Sequence, residues 1–169
     1  MRSASQRKAD ALLRLERDAN VWIATSSADG QPHLVPLSLA WDGRRILVAT
    51  PSVTPTARNA AATGVCKASL DSAEDVVLID AGVEVVDFAA VDPDTASRYV
   101  ERVGWNPADE AGEWSLLIVE PRTVRAWNSV DEISGRTIMR QGQWSDGSAP
   151  AQPAREQAGY QRPAGDAIP

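Results

Sequence analysis

Residues 21–59 read VWIATSSADGQPHLVPLSLAWDGRRILVATPSVTPTARN, and the order of parts in this stretch decides the fold. Two strand-like runs flank Asp29-Gly30 and a third follows Asp42-Gly43. Asp-Gly between alternating apolar runs is a hairpin signal, because Gly accepts the positive φ of a tight turn. The pattern predicts strands over 20–27, 32–41 and 44–50. Along the second strand His33, Val35, Leu37, Leu39 and Trp41 share a bulky face that reads as core. Leu34, Pro36, Ser38 and Ala40 share the other, a small and partly polar face with room for a flat ligand. Pro36 donates no hydrogen bond, so this strand is expected at an edge or at a bulge. After the third strand come Thr50, Ser52, Thr54, Thr56 and Arg58. TARNAAAT at 56–63 then predicts a short helix, with Gly64 as its stop.

Working outward, residues 5–18 carry Ala9, Leu12 and Leu13 at roughly helical spacing. VCKASLD at 65–71 and DVVLIDAGVEVVDFAAV at 75–91 are β-branched and strand-like. Asp92 followed by Pro93 opens a helix over about 93–103. A loop spans 103–113, WSLLIVEP at 114–121 reads as a buried strand that TVRAWN continues, and 135–144 reads as a last hairpin. Together these predict a mainly β protein: a Greek-key antiparallel split β-barrel of six or seven strands with short flanking helices. Residues 1–144 form the barrel domain, and the Pro/Ala/Gln-rich stretch 145–169 is expected to be a disordered tail.

Composition removes several function classes. The net charge of −6 argues against a nucleic-acid partner read through a basic surface. No stretch approaches the roughly 20 apolar residues of a membrane helix. The N-terminus has no apolar run of signal-peptide length, and the single Cys66 allows no intrachain disulfide, so a cytoplasmic setting is expected. A zinc site needs several Cys or His ligands, and one of each does not suffice, so no metal is expected. His33 is the only histidine, and without a G-x-S-x-G elbow it reads as a structural or rim residue. G-x-G-x-x-G and P-loop motifs are both missing. Nine aromatic residues leave little for sugar stacking.

A chain without a marked nucleophile, base or metal can still be an enzyme when a cofactor carries the reaction. That turns attention to the segment around Arg58. Short hydroxyl donors, a forked guanidinium and the free N–H groups of a helix start converge there, a plausible cradle for a phosphate. The alternative is a solvated Thr-rich loop that caps a helix.

The succession GQPHLVPLSLAWDG, RRILVATP, TPTARN, VCKASLD, DVVLIDAGVEV and WSLLIVEPRTVRAW resembles the flavin-binding split-barrel family related to pyridoxamine phosphate oxidase, over about residues 10–144. The resemblance implies that Thr50, Ser52, Thr56, Arg58 and Asn59 hold the phosphate and ribityl side of a cofactor, with Pro36 and Ser38 near its ring. It implies a homodimer with the cofactor at the interface, walled by Leu34 and Trp41 and by Trp105, Trp114 or Trp127 of the second copy. Oxidation of vitamin B6 is not expected, since the Arg- and His-rich substrate end of that enzyme has no counterpart here. The Lys-poor composition and the TPTARN wording resemble members that use the deazaflavin F-420. The expected activity is hydride transfer between reduced F-420 and a small unsaturated substrate, with no side chain marked as proton donor. FMN is the alternative cofactor, and a non-catalytic carrier of flavin or a haem-type ligand is the alternative outside catalysis.

Overall fold

A computed structural model of the chain describes residues 1–145, so all but the first residue of the expected tail lies outside the described residues. The elements are α1 (Ala4–Arg17), β1 (Asn20–Ser26), β2 (Pro32–Ser38), β3 (Ala40–Trp41), β4 (Ile46–Pro51), α2 (Pro55–Thr63), β5 (Val65–Leu70), β6 (Val76–Asp87), α3 (Pro93–Val103), β7 (Trp114–Trp127), β8 (Thr137–Arg140) and β9 (Gln143–Trp144). All strand pairs are antiparallel, in the order β2-β1-β5-β6-β7-β4-β3, and the β8–β9 hairpin branches from β7. The mainly β, curled antiparallel architecture is the one expected.

The strand expected over 32–41 is two strands with two different partners. β2 pairs with β1 from Asn20↔Ser38 to Ser26↔Pro32, whereas β3 pairs with β4. The switch happens at Leu39, whose N–H donates to Ala19 O at 2.9 Å. The two ends of the sheet order are therefore consecutive pieces of one chain segment, and the sheet curls round to meet itself. β2 has a neighbour on one side only, which is where Pro36 is tolerated. The third strand starts later than the pattern suggests because the Asp42 carboxylate accepts from the N–H groups of Arg44 and Arg45 and holds both in the turn. Gly43 there has φ 94°.

β4 and β7 lie between two apolar layers, which explains their unbroken apolar runs. Ile46, Val48, Leu117 and Val119 face the barrel interior with Val21, Ile23 and Leu70. Leu47, Ala49 and Leu116 face outward onto Phe88 and Tyr99, beneath α3. The long apolar run expected over 75–91 ends as strand at Asp87, whose carboxylate accepts from Ala89 N and turns the chain into a single 3-10 turn. Asp92 caps α3 and Gly64 ends α2 with φ 66°, as expected; Ser3 and Thr54 likewise accept from Gln6 and Ala57, and Gly104 ends α3 with φ 79°. Among the described residues no helix is long and apolar enough to cross a membrane.

One buried carboxylate pins the N-terminal segment to the barrel. Glu132 is 1% exposed. It accepts from Arg2 N, Nε and Nη2 and from Asn128 N. The Arg2 guanidinium holds its carboxyl down at about 2, assisted by the two backbone N–H groups. A carboxyl whose folded-state value is depressed stabilises the fold above its ordinary value near 4.5, and that contribution fades as the pH falls toward 2. Glu132→Gln is expected to lower stability at neutral pH by about 2 kcal/mol, the order of a lost charge-assisted hydrogen bond. Denaturant unfolding from pH 7 to 2.5 checks this: the wild-type stability falls more steeply below pH 4.5 than that of the variant, and parallel curves would contradict the assignment.

Candidate functional site

α2 follows β4 through the turn Ser52–Thr54 and lies against β1, β2 and β6 at one end of the barrel. Interior parity brings Thr25 of β1 to this end, with His33 paired opposite it on β2. The helix start is tied to both. Thr56 Oγ1 lies 3.1 Å from His33 Nε2, and Asn59 Nδ2 donates to Thr25 Oγ1 at 3.3 Å. Thr50 Oγ1 lies 3.1 Å from Thr54 Oγ1, which also accepts from Ala57 N at 3.3 Å. Thr50 and Thr56 are 4% and 1% exposed, so their hydroxyls close the barrel end beneath the helix. Buried hydroxyls need such partners, and each here has one.

The accessible side of the same helix start differs in character. Arg58 is exposed and makes no ion pair among the described residues. The first turn of α2 holds no acidic residue. Pro55 has no N–H and Ala57 N is taken by Thr54, so the Thr56 N–H is the donor the first turn leaves over. Ser52 is half-buried, with Oγ 2.8 Å from Ser115 Oγ. A helix N-terminus with a cation, hydroxyls and no acidic residue in its first turn can receive a phosphate or another oxyanion. The donor set therefore fits a phosphate-bearing cofactor.

The expected site residues fall into three groups. Arg58 is on the accessible side, with Ser52 and the cap Thr54 half-buried at its edge and bonded to Ser115 and Thr50. Thr50, Thr56 and Asn59 are drawn inward and fix where that side lies. Pro36 and Ser38 sit on β2, opposite Trp22 and Asn20. Ser38 is five residues from His33, about 17 Å along the strand. Leu34 on the same face is 58% exposed and Pro36 is exposed, so that part of the small face is an open strip, whereas Ala40, expected on it, is buried in the outer apolar layer. Trp114 packs edge-to-face on Trp105 at 5.1 Å and against the outer apolar layer, while Trp127 lies 5.3 Å from the Arg136 guanidinium. His33 is the rim residue its strand parity suggested, but its bond to Thr56 ties it to the helix start, a link visible only once β2 and α2 are brought together. Burial pushes the Cys66 thiol up to about 12, which keeps it protonated and inert. A cleft of about 400 Å³ shares Thr25 with this cluster but includes none of Thr50, Ser52, Thr54 or Arg58. Thr54→Ala is expected to cost about 1 kcal/mol of stability by removing the cap of α2, and Thr54→Ser to retain most of it. Urea midpoints check this, and equal midpoints for all three proteins would contradict it.

Comparison with known proteins agrees with the fold. The family profile described as pyridoxamine 5'-phosphate oxidase matches residues 8–128. No curated protein matches the chain. Among solved structures, a putative pyridoxamine 5'-phosphate oxidase from Listeria innocua superposes with a TM-score of 0.60 at 16% identity, covering 72% of this chain and 98% of its own. An F-420 reductase gives a TM-score of 0.53 at 21% identity, with 65% and 91% covered. HutZ, a haem storage protein from Vibrio cholerae, gives 0.56 at 12% identity, with 69% and 90% covered. At these identities the structural likenesses establish the shared fold, whereas the profile spans α1 to the end of β7. The chain belongs to the pyridoxamine 5'-phosphate oxidase family of split barrels.

Proposed function

We propose that the protein is a cytoplasmic oxidoreductase in which reduced deazaflavin F-420 and a small unsaturated substrate exchange a hydride, at a site shared by two copies of the chain. The observation that carries this reading is the exposed Arg58, unpaired among the described residues, on a helix start whose first turn holds no carboxylate. Its guanidinium would hold the phosphate of the cofactor, with the Thr56 N–H, Ser52 and Thr54 as neutral donors. Thr50, Thr56, His33, Asn59 and Thr25 act as positioning residues: their mutual bonds fix the helix start on the barrel end. Pro36 and Ser38 offer a flat strip along β2 for the ring. The bound deazaflavin supplies the two-electron chemistry, and the protein supplies orientation and exclusion of water.

The likeness to an F-420 reductase supports deazaflavin, and the family profile supports FMN as the second candidate. The likeness to a haem storage protein supports a non-catalytic carrier. Haem ligation through Nε2 of the one histidine would break its 3.1 Å bond to Thr56 Oγ1. Titration of the purified chain with F-420, FMN and hemin, followed by fluorescence quenching and absorbance, separates the three. Arg58→Ala is expected to weaken binding of F-420 by about 1.5–3 kcal/mol, and Arg58→Lys to keep part of the affinity. Unchanged affinity in a folded Arg58→Ala protein would end the phosphate assignment.

The open strip on β2 implies the second copy. Binding sites bury most of a ligand's surface, and a strip exposed on one barrel covers one side of a tricyclic ring. A two-fold partner supplies the missing wall twice. Light scattering at low micromolar concentration is therefore expected to give about twice the 18.1 kDa chain mass. A monomer that binds cofactor tightly would contradict the shared site.

A further inference from the structure

The register between β6 and β7 breaks at one place, remote in sequence from α2. Asp80 pairs with Thr123 and Ala81 with Pro121, so Arg122 is the extra residue of a β-bulge. Bulges re-aim a side chain out of the regular pleat. Here the guanidinium is brought against the backbone of Gly82: a Cβ at that position would stand 2.6 Å from Arg122 Nη2 and 3.0 Å from Cζ. Gly82 has ordinary strand geometry, so its lack of a side chain matters for space and not for backbone conformation.

Arg122 is exposed and makes no ion pair among the described residues, although a carboxylate is close by. Asp80 is already shared by Lys67 and by Arg125 Nη1, the latter at 2.7 Å. Arg122 lines one cleft with Asp80, and it also lines a second cavity with Glu84 and with Glu120, which is paired with Arg44. The first, the 400 Å³ cleft, has a mostly apolar wall that includes Val65, Cys66 and Ala81, with Lys67 and the paired Asp80 among its polar members. A free planar fork beside a small apolar cleft is a recognition arrangement for a molecule with an oxyanion at one end and a flat apolar body at the other.

We propose that the Arg122 bulge heads a second binding site, distinct from the α2 surface, for small organic anions. The carboxylate or phosphate monoester is held by the guanidinium, and the apolar body enters the cleft along Val65 and Ala81. Gly82, without a side chain, leaves the room that the guanidinium occupies beside Ala81.

The test is a titration of the full isotope-labelled chain with phenyl phosphate, benzoate, inorganic phosphate and neutral benzyl alcohol, read at the amide resonances of Lys67 and Gly82. Saturable shifts are expected with phenyl phosphate or benzoate, and whichever binds better identifies the head group. Inorganic phosphate and benzyl alcohol should each bind roughly tenfold more weakly, lacking the body or the charge. Arg122→Gln should weaken binding about tenfold or more. Gly82→Ala should do the same, read at Lys67, because the new methyl displaces the guanidinium. Arg58→Ala should leave these shifts unchanged. The proposal is overturned if no saturable shift arises at these amides, if benzyl alcohol binds as well as the anions, if folded Arg122→Gln binds as the wild type does, or if Arg58→Ala abolishes the shifts. Arg122 is exposed, so its variant decides the matter even where Gly82→Ala fails to fold.

Discussion

The segment 32–41 is the constraint on which this architecture rests. Its first part pairs with β1 and its last two residues pair with β4, and Leu39 is the single residue between. An antiparallel sheet that did not curl round would leave two long edges with unpaired N–H and C=O groups. Placing both ends of the sheet order on one segment brings those edges together. The same closure puts the start of β2 at the barrel end where α2 sits, and so sets His33 against Thr56.

That placement divides the helix start into two sides with different work. On the inner side, Thr50, Thr56 and Asn59 exchange hydrogen bonds with Thr54, His33 and Thr25, and water has little access. Buried polar groups that are mutually satisfied hold a unique arrangement more firmly than an apolar contact of equal area. On the outer side, Arg58 has no partner among the described residues while much of the chain's arginine is engaged. Arg2, Arg14, Arg44, Arg45 and Arg125 all pair with carboxylates, and Arg7 and Arg102 bond carbonyls. A cation left free beside a rigidly held helix N-terminus is what an anion site requires.

The turns, helices and most strands were legible in the sequence because their signals are local. Asp29-Gly30, Asp42-Gly43, the caps Thr54 and Asp92 and the stops Gly64 and Gly104 each act within a few residues. Which residues share a face of β2 was legible too, since alternation holds in any register, while the register decides which face is buried. What the sequence concealed depends on pairing across the chain. The change of partner at Leu39 leaves no mark in composition. The inward turn of Thr50 and Thr56 follows from how α2 closes the barrel, so a row of hydroxyls that reads as a uniform cradle becomes an inner plug and an outer rim. The bulge at Arg122 is likewise a matter of register between β6 and β7, and nothing in EPRTV announces it.

The central claim is that the accessible side of the α2 start receives the anionic part of a flavin-type cofactor. The most direct measurement is the amide spectrum of the labelled full chain on addition of F-420, and separately of FMN. The account predicts the largest shifts at Thr56, Ala57 and Arg58, with further changes along Pro32–Ser38, and small changes on α3. Shifts that avoid the start of α2 while the cofactor is demonstrably bound would contradict it.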